Sequence, residues 1–143
     1  MRAMGLDVGE RRIGVALSDP EGRIAFSLTT VQRKSDEDAF AEITRLAREN
    51  EVETMVVGLP RSLDGSLGRQ AEAVLVFAET LKERVGVPVV TWDERMSTLA
   101  AERMLIEAGA KRGKRKLVRD SLAATYILQG YLDWSRRDER GQD

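Results

Sequence analysis

Two short apolar runs, "TMVVGLP" over Thr54 to Pro60 and "VPVVTW" over Val87 to Trp92, constrain what this chain can fold into more than any other feature. Neither alternates apolar with polar residues. Between them lies a helical stretch from about Gly68 to Arg84, and before them Phe40, Ile43, Leu46 and Ala47 recur at helical spacing. Short unalternating strands separated by helices are parallel strands buried on both faces, and such a sheet takes helices as its cover. The chain is therefore expected to be α/β.

The stretch "MGLDVGERRIGVALS" (Met4 to Ser18) adds an antiparallel part. It reads as a strand, a tight turn and a second strand. Alternate side chains face opposite ways, so Met4, Leu6 and Val8 share one face while Ala3, Gly5, Asp7 and Gly9 share the other. On the returning strand Ile13, Val15 and Leu17 oppose Gly14, Ala16 and Ser18. Both strands thus present small residues on one side, from which Asp7 projects. A helix packed closely on that side, with Asp7 serving the turn, also accounts for the pattern. A turn at "SDPEGRI" leads to a third strand through Ile24, Phe26 and Leu28. After the second parallel strand come a helix through Leu99, Met104, Leu105 and Ala108 and another from about Leu117 to Trp134. The order βββαβαβαα gives a five-stranded mixed sheet, a three-strand meander plus two parallel strands, with helices on both faces. At 143 residues the expected organisation is a single domain over 1–135 and a frayed polar tail, "RRDERGQD", over 136–143.

Composition narrows the chemistry. The chain has no cysteine and no histidine, which removes thiolate and Ser-His-Asp catalysis and the usual zinc sites. Lack of cysteine fits a cytoplasmic setting. No apolar run reaches the eighteen residues of a membrane span. With a net charge of −1, anion binding has to be local.

Three acids stand out. Asp93 and Glu94 follow the strand "VVTW" directly, where open α/β sheets collect ligands; acids in the first turn of a following helix would also be favoured by its dipole. Asp120 lies on the apolar stripe Leu117, Ala124, Ile127, Leu128 and Tyr131 of the last helix. A buried carboxylate needs a cation, good hydrogen bonds or a proton. A partner such as Arg119 or Lys116 serves equally well. If Asp7, Glu94 and Asp120 converge, their all-oxygen donor set suits Mg2+ or Mn2+, and such a site hydrolyses phosphate esters. Nearby cations and hydroxyls could hold phosphate: Arg61 and Arg69 after "VVGLP", Arg95, Ser97 and Thr98 after Glu94, and Lys114, Arg115 and Lys116 in "KRGKRK". The last three are expected in a loop kept mobile by Gly113, although a charge run is also an ordinary solvated surface. Ser97 or Thr98 could equally cap the next helix, and Trp92 and Trp134 are expected in the core.

The segments "GLDVGERRIGVALSD", "VVGLPRSLDGSLGRQA", "WDERMSTLAAERML" and "RDSLAATYIL", in this order from Met4 to about Leu132, resemble the RuvX/YqgF family. Its members are described as Holliday-junction resolvases and as nucleases that mature the 5′ end of 16S ribosomal RNA precursor. The resemblance implies an RNase H-like fold, with Asp7, Glu94 and Asp120 as catalytic acids that bind the divalent metal. Many RNase H-like nucleases carry a fourth acid; none is found here, which leaves the number of metal ions open. Precursor rRNA or branched DNA would be the partner, and a symmetric junction cut would call for a homodimer. Two other functions fit parts of the sequence. One is an RNA-binding ribosome assembly factor without catalysis. The other is a phosphate binder, since "LDVGERRIGVAL" is similar to the phosphate loop of sugar kinases and actin-like ATPases. Those proteins need a second lobe and an adenosine site for which this chain has no room.

Overall fold

A computed structural model describes the backbone of residues 1–62, 64–96 and 112–141, and the side chains of 1–62, 64–96 and 121–137. Three strands come first: β1 (Ala3–Val8), β2 (Arg12–Ser18) and β3 (Ala25–Gln32). Helix α1 (Asp36–Glu49), strand β4 (Thr54–Leu59), helix α2 (Arg69–Val85) and strand β5 (Val89–Asp93) follow. A short 3-10 turn (Glu94–Met96) leaves β5, and helix α3 (Arg112–Gly141) ends the described chain. The sheet order is β3-β2-β1-β4-β5, with β1 antiparallel to β2 and parallel to β4. This is the mixed sheet expected from the two unalternating runs.

The two faces of the sheet are covered differently. Met4, Leu6, Val8, Ile13, Val15 and Leu17 face α1 and α2 in the larger core, with Phe40, Ile43, Val74, Phe77 and Leu81. Ser35 caps α1, its hydroxyl accepting from the Asp38 backbone N–H at 3.1 Å, and Gly86 closes α2 with φ of 73°. The two helices meet through Phe40 and Phe77, ring centroids 4.8 Å apart. Across their outer edge the Arg84 guanidinium donates to both Glu37 oxygens at 2.6 and 2.8 Å. That hydrogen bonding holds the exposed Glu37 carboxyl below its ordinary range.

The other face carries α3. Ala3, Ala16, Val56 and Trp92 pack with Ala123, Ala124, Ile127, Leu128 and Leu132. The helix comes so near that a Cβ on Gly5 would lie 2.7 Å from Leu128 Cβ and 2.9 Å from the Ala124 carbonyl oxygen. Its direction is fixed by contacts with the edge strand. Gln129 Oε1 accepts from the Ala25 N–H at 2.9 Å, whereas Thr125 and Ser121 bond Ser27 at 3.1 and 3.0 Å. Moving back along α3 therefore moves forward along β3 and, since both flank β2 in antiparallel pairing, along β1 as well.

Several expectations are corrected. Ile24 lies outside β3 and is 64% exposed, because Asp19 draws it into a closed turn: the Asp19 N–H donates to the Ile24 carbonyl at 3.0 Å. The run from Arg112 onward is helical rather than a loop. Helix α3 also continues beyond Trp134 to Gly141, an extension aided by the i,i+3 pair of Asp133 with Arg136 at 3.0 Å. Trp134 is 48% exposed instead of buried, since it packs against Trp92 of β5, where that edge strand ends the sheet. The expected helix through Leu99, Met104, Leu105 and Ala108 lies outside the described residues. Among the described residues no helix is long and apolar enough to cross a membrane.

Two outcomes follow from these contacts. Gly5→Ala should lower the unfolding free energy by about 1–3 kcal/mol, as overpacking of a tight interface does, measured by urea denaturation. For the α1–α2 strap, the Glu37 carboxyl should titrate below the ordinary value, and Arg84→Ala should return it there, as followed by carbon-13 NMR. A lowered value means that the pairing is present at neutral pH and is lost as pH falls through the folded-state midpoint.

Candidate functional site

β1, β4 and β5 run parallel and end at the same edge of the sheet, so their last residues and the turns beyond them share one surface. Asp7, half-buried, pairs with Gly14 of β2 and stands one step past the Leu6–Val57 pair of β4. That places it next to Gly58. By alternation it points to the α3 side, like Ala3 and Gly5. On the opposite flank of β4, Gly58 pairs with Trp92 of β5, and Glu94 opens the 3-10 turn two residues later. A Cβ on Gly58 would lie 3.1 Å from Glu94 Oε1 and 2.9 Å from Ile127 Cγ1. The missing side chain of Gly58 is what admits the Glu94 carboxylate and the Ile127 methyl groups beneath α3. Asp7 and Glu94 thus lie on the same sheet face about two strand spacings, or 10 Å, apart, with the side-chain-free Gly58 between them. Both are half-buried and both are engaged in interactions.

Asp93, the neighbouring acid, has a different task. Its Oδ1 accepts from the Arg95 backbone N–H at 2.9 Å, and both oxygens accept from Arg95 Nε at 3.1 Å. Arg95 Nη2 adds a bond to Oδ2 at 2.7 Å. This pairing holds the Asp93 carboxyl below its ordinary range against the opposing effect of burial. Arg61 approaches the same carboxylate at 3.9 Å and donates to the Gly65 carbonyl at 3.2 Å. Gly65 takes φ of 87°, and a Cβ there would lie 3.3 Å from Arg95 Nη1. Asp64 Oδ1 accepts from the Ser66 N–H and hydroxyl at 2.9 and 2.7 Å, shaping that turn. The loop after β4 and the turn after β5 are therefore joined by two arginines sharing one carboxylate.

Of the other sequence-predicted residues, Arg69 has a described side chain. Arg69, exposed at the start of α2, lines a cleft of about 490 Å3 with Val8, Gly9 and Arg33, apart from the Asp93 network. The backbone of Asp120, Lys114, Arg115 and Lys116 lies in α3, while their side chains lie outside the described residues, as do Ser97 and Thr98 altogether. Among the described residues no three metal-ligating side chains gather into one cluster, and two of the three predicted acids belong to that set. Gly58 escaped the reading of the sequence, where its only mark was a glycine inside an apolar run. Arg33 also went unnoticed; it donates to the Gly9 carbonyl at 2.8 Å and to Asp36 at 2.7 Å, bracing the turn after β1.

Comparison with known proteins places this geometry. A family model described as "RuvX: Holliday junction resolvase" matches residues 1–134. A protein of Desulforamulus reducens is 51% identical over 133 residues, 93% of this chain and 97% of its own length. One from Clostridium novyi is 50% identical over 93% of this chain and 98% of its own. Both bear the name "Putative pre-16S rRNA nuclease". Among solved structures, RuvC of Thermus thermophilus in complex with a Holliday junction substrate superposes with a TM-score of 0.60 at 16% identity. That superposition covers 94% of this chain and 96% of that one, and speaks for a shared RNase H-like fold. With a family model spanning the sheet and α3, and relatives half identical over nearly their whole length, this chain belongs to the RuvX family.

Proposed function

We propose that this chain is a divalent-metal-dependent nuclease that cleaves phosphodiester bonds of structured nucleic acid, with the 5′ side of a 16S rRNA precursor as its substrate. The observation that carries this reading is the placement of Asp7 and Glu94 on one sheet face, on either side of the side-chain-free Gly58. The names of the half-identical relatives favour the RNA substrate. The family description favours a second substrate, the four-way DNA junction.

The direction of α3 supports Asp120 as the third acid. Ala124 meets Gly5. Asp120 precedes Ala124 by four helical residues, about 6 Å, and Asp7 follows Gly5 by two strand residues, about 7 Å. Because helix and strand run antiparallel, both steps lead to the same end of the molecule. The donors are all carboxylate oxygens in a chain without histidine or cysteine, which fits Mg2+ or Mn2+. Asp7, Glu94 and Asp120 would hold such an ion, whose chemistry when bound would be to polarise a phosphoryl oxygen and to lower the pKa of a water so that it loses its proton to solvent and is available as hydroxide. The chain's own groups do the rest. Arg61 and Arg95 present guanidinium donors that match phosphate oxygens, and Asp93 keeps both oriented before substrate arrives. Ile127 packs beside Glu94 at Gly58 and closes the inner side of that acid, while the open end of the sheet leaves the substrate its approach. Arg69, Ser97 and Thr98 extend the phosphate contacts, and Lys114, Arg115 and Lys116 add attraction that depends on the backbone charge of the substrate rather than its sequence.

The test is a side-by-side cleavage assay with Mg2+ or Mn2+ on precursor 16S RNA and on a four-way DNA junction. Asp7→Asn, Glu94→Gln and Asp120→Asn should each reduce cleavage by about two orders of magnitude or more, the range for loss of one group that stabilises a transition state, with circular dichroism unchanged. Full activity in any variant removes that residue from the site. Replacing Lys114, Arg115 and Lys116 by Gln should flatten the plot of log affinity against log salt by about 2–3 if all three touch phosphate, as measured by fluorescence anisotropy across a salt series. An unchanged slope removes them from the substrate path.

A further inference from the structure

We infer that the aromatic cleft between α3 and the end of β5 seats one unpaired nucleobase of the substrate, an inference that rests on the nuclease reading. The cleft measures about 260 Å3 and is lined by Trp92, Met96, Tyr126, Gly130, Trp134 and Arg137. A volume of that order takes a flat heterocycle and little more.

Three observations point to such an occupant. First, Trp134 and Met96 are 48% and 64% exposed, two large apolar side chains left uncovered at one opening. Second, Trp134 is a supported platform rather than a loose surface ring. Its centroid lies 5.8 Å from that of Trp92 and 6.2 Å from that of Tyr131, and those two meet edge-on at 6.0 Å. Such rings keep their orientation, so stacking on Trp134 costs little ordering. Third, Trp92 is only 8% exposed, yet its indole N–H has no hydrogen-bond partner, the sole buried side-chain group of this kind among the described residues. Native interiors rarely leave such a donor unmet.

The rim is suited to the rest of a nucleotide. Arg137 is exposed there. Asp133 and Gln129 line the cleft as well, and the Asp133 carboxylate accepts from Gln129 and Arg136, each at 3.0 Å, so that the Arg136 guanidinium offsets its charge. Trp92 pairs with Gly58 and stands two residues before Glu94, so one end of β5 serves both cleft and proposed acid site. A base seated in the cleft anchors a strand whose next phosphates reach that end. The substrate this selects has an unpaired nucleotide beside a duplex, and a fully paired junction arm offers no base to the cleft.

The experiment uses the full chain without metal, so that binding is read apart from cleavage. A labelled RNA hairpin with a short single-stranded 5′ extension is compared by fluorescence anisotropy with the same hairpin whose extension is abasic. The wild type should bind the intact RNA about five- to a hundredfold more tightly, the range of one base stacked on an aromatic ring. Trp134→Ala should erase that preference, and Trp134→Phe should keep most of it. Equal preference in wild type and Trp134→Ala overturns the inference while leaving the nuclease reading intact. No binding to either RNA overturns the inference and the RNA substrate, while the DNA junction of the cleavage assay decides the nuclease reading separately. If instead Trp134→Ala converts a dimer to a monomer in sedimentation and the wild type shows no preference for the intact RNA, the cleft is an interface between copies and the inference falls.

Discussion

The near contact between α3 and the sheet is the constraint on which the other features depend. At Gly5 and Gly58 the strands carry no side chain, and Ala123 and Ala124 keep the facing helix surface small. Each strand glycine costs about 0.5–1 kcal/mol in backbone freedom. Burial of Ile127 and Leu128, both fully shielded, returns about 1.5–3 kcal/mol apiece. The helix therefore settles at backbone distance, and that depth is what puts the Glu94 carboxylate beside Ile127 at Gly58 of β4. With a side chain at position 58, the acid and the helix would compete for the same space.

Parallel strand order does the rest of the gathering. Because β1, β4 and β5 point the same way, a residue near the start of the chain and a pair in its second half emerge at one edge. The two adjacent acids Asp93 and Glu94 then separate by role. Asp93 turns to the loop after β4 and is committed to Arg95 and Arg61, whereas Glu94 lies over Gly58 on the α3 side. The negative charge of Asp93 is thereby matched by guanidinium groups.

Much of this was legible in residue order, for reasons specific to each element. The amphipathic spacing of Phe40, Ile43, Leu46 and Ala47 reports α1 faithfully because one face of that helix meets a core and the other meets water. The runs around Val56 and Val90 report β4 and β5 because both faces of the sheet are covered. Ile24 misled, since an apolar residue can be drawn into a turn by backbone hydrogen bonds that no pattern of side chains reveals. Trp134 misled as well, because its place on the apolar stripe says nothing about where the sheet beneath α3 ends.

The sequence by itself determined which chemistry was open to this protein. Lacking histidine and cysteine, the chain has carboxylates, guanidinium groups and hydroxyls to work with, and the spacing of its apolar residues dictated a mixed sheet with helices on both faces. Only the tertiary structure decided that Asp7 and Glu94 share a face across Gly58, that Asp93 is bound to arginine, and that Trp92 keeps an unmatched N–H. Those outcomes depend on the depth and direction at which α3 packs, and such quantities arise from contacts between residues far apart in the chain, which local propensity does not encode.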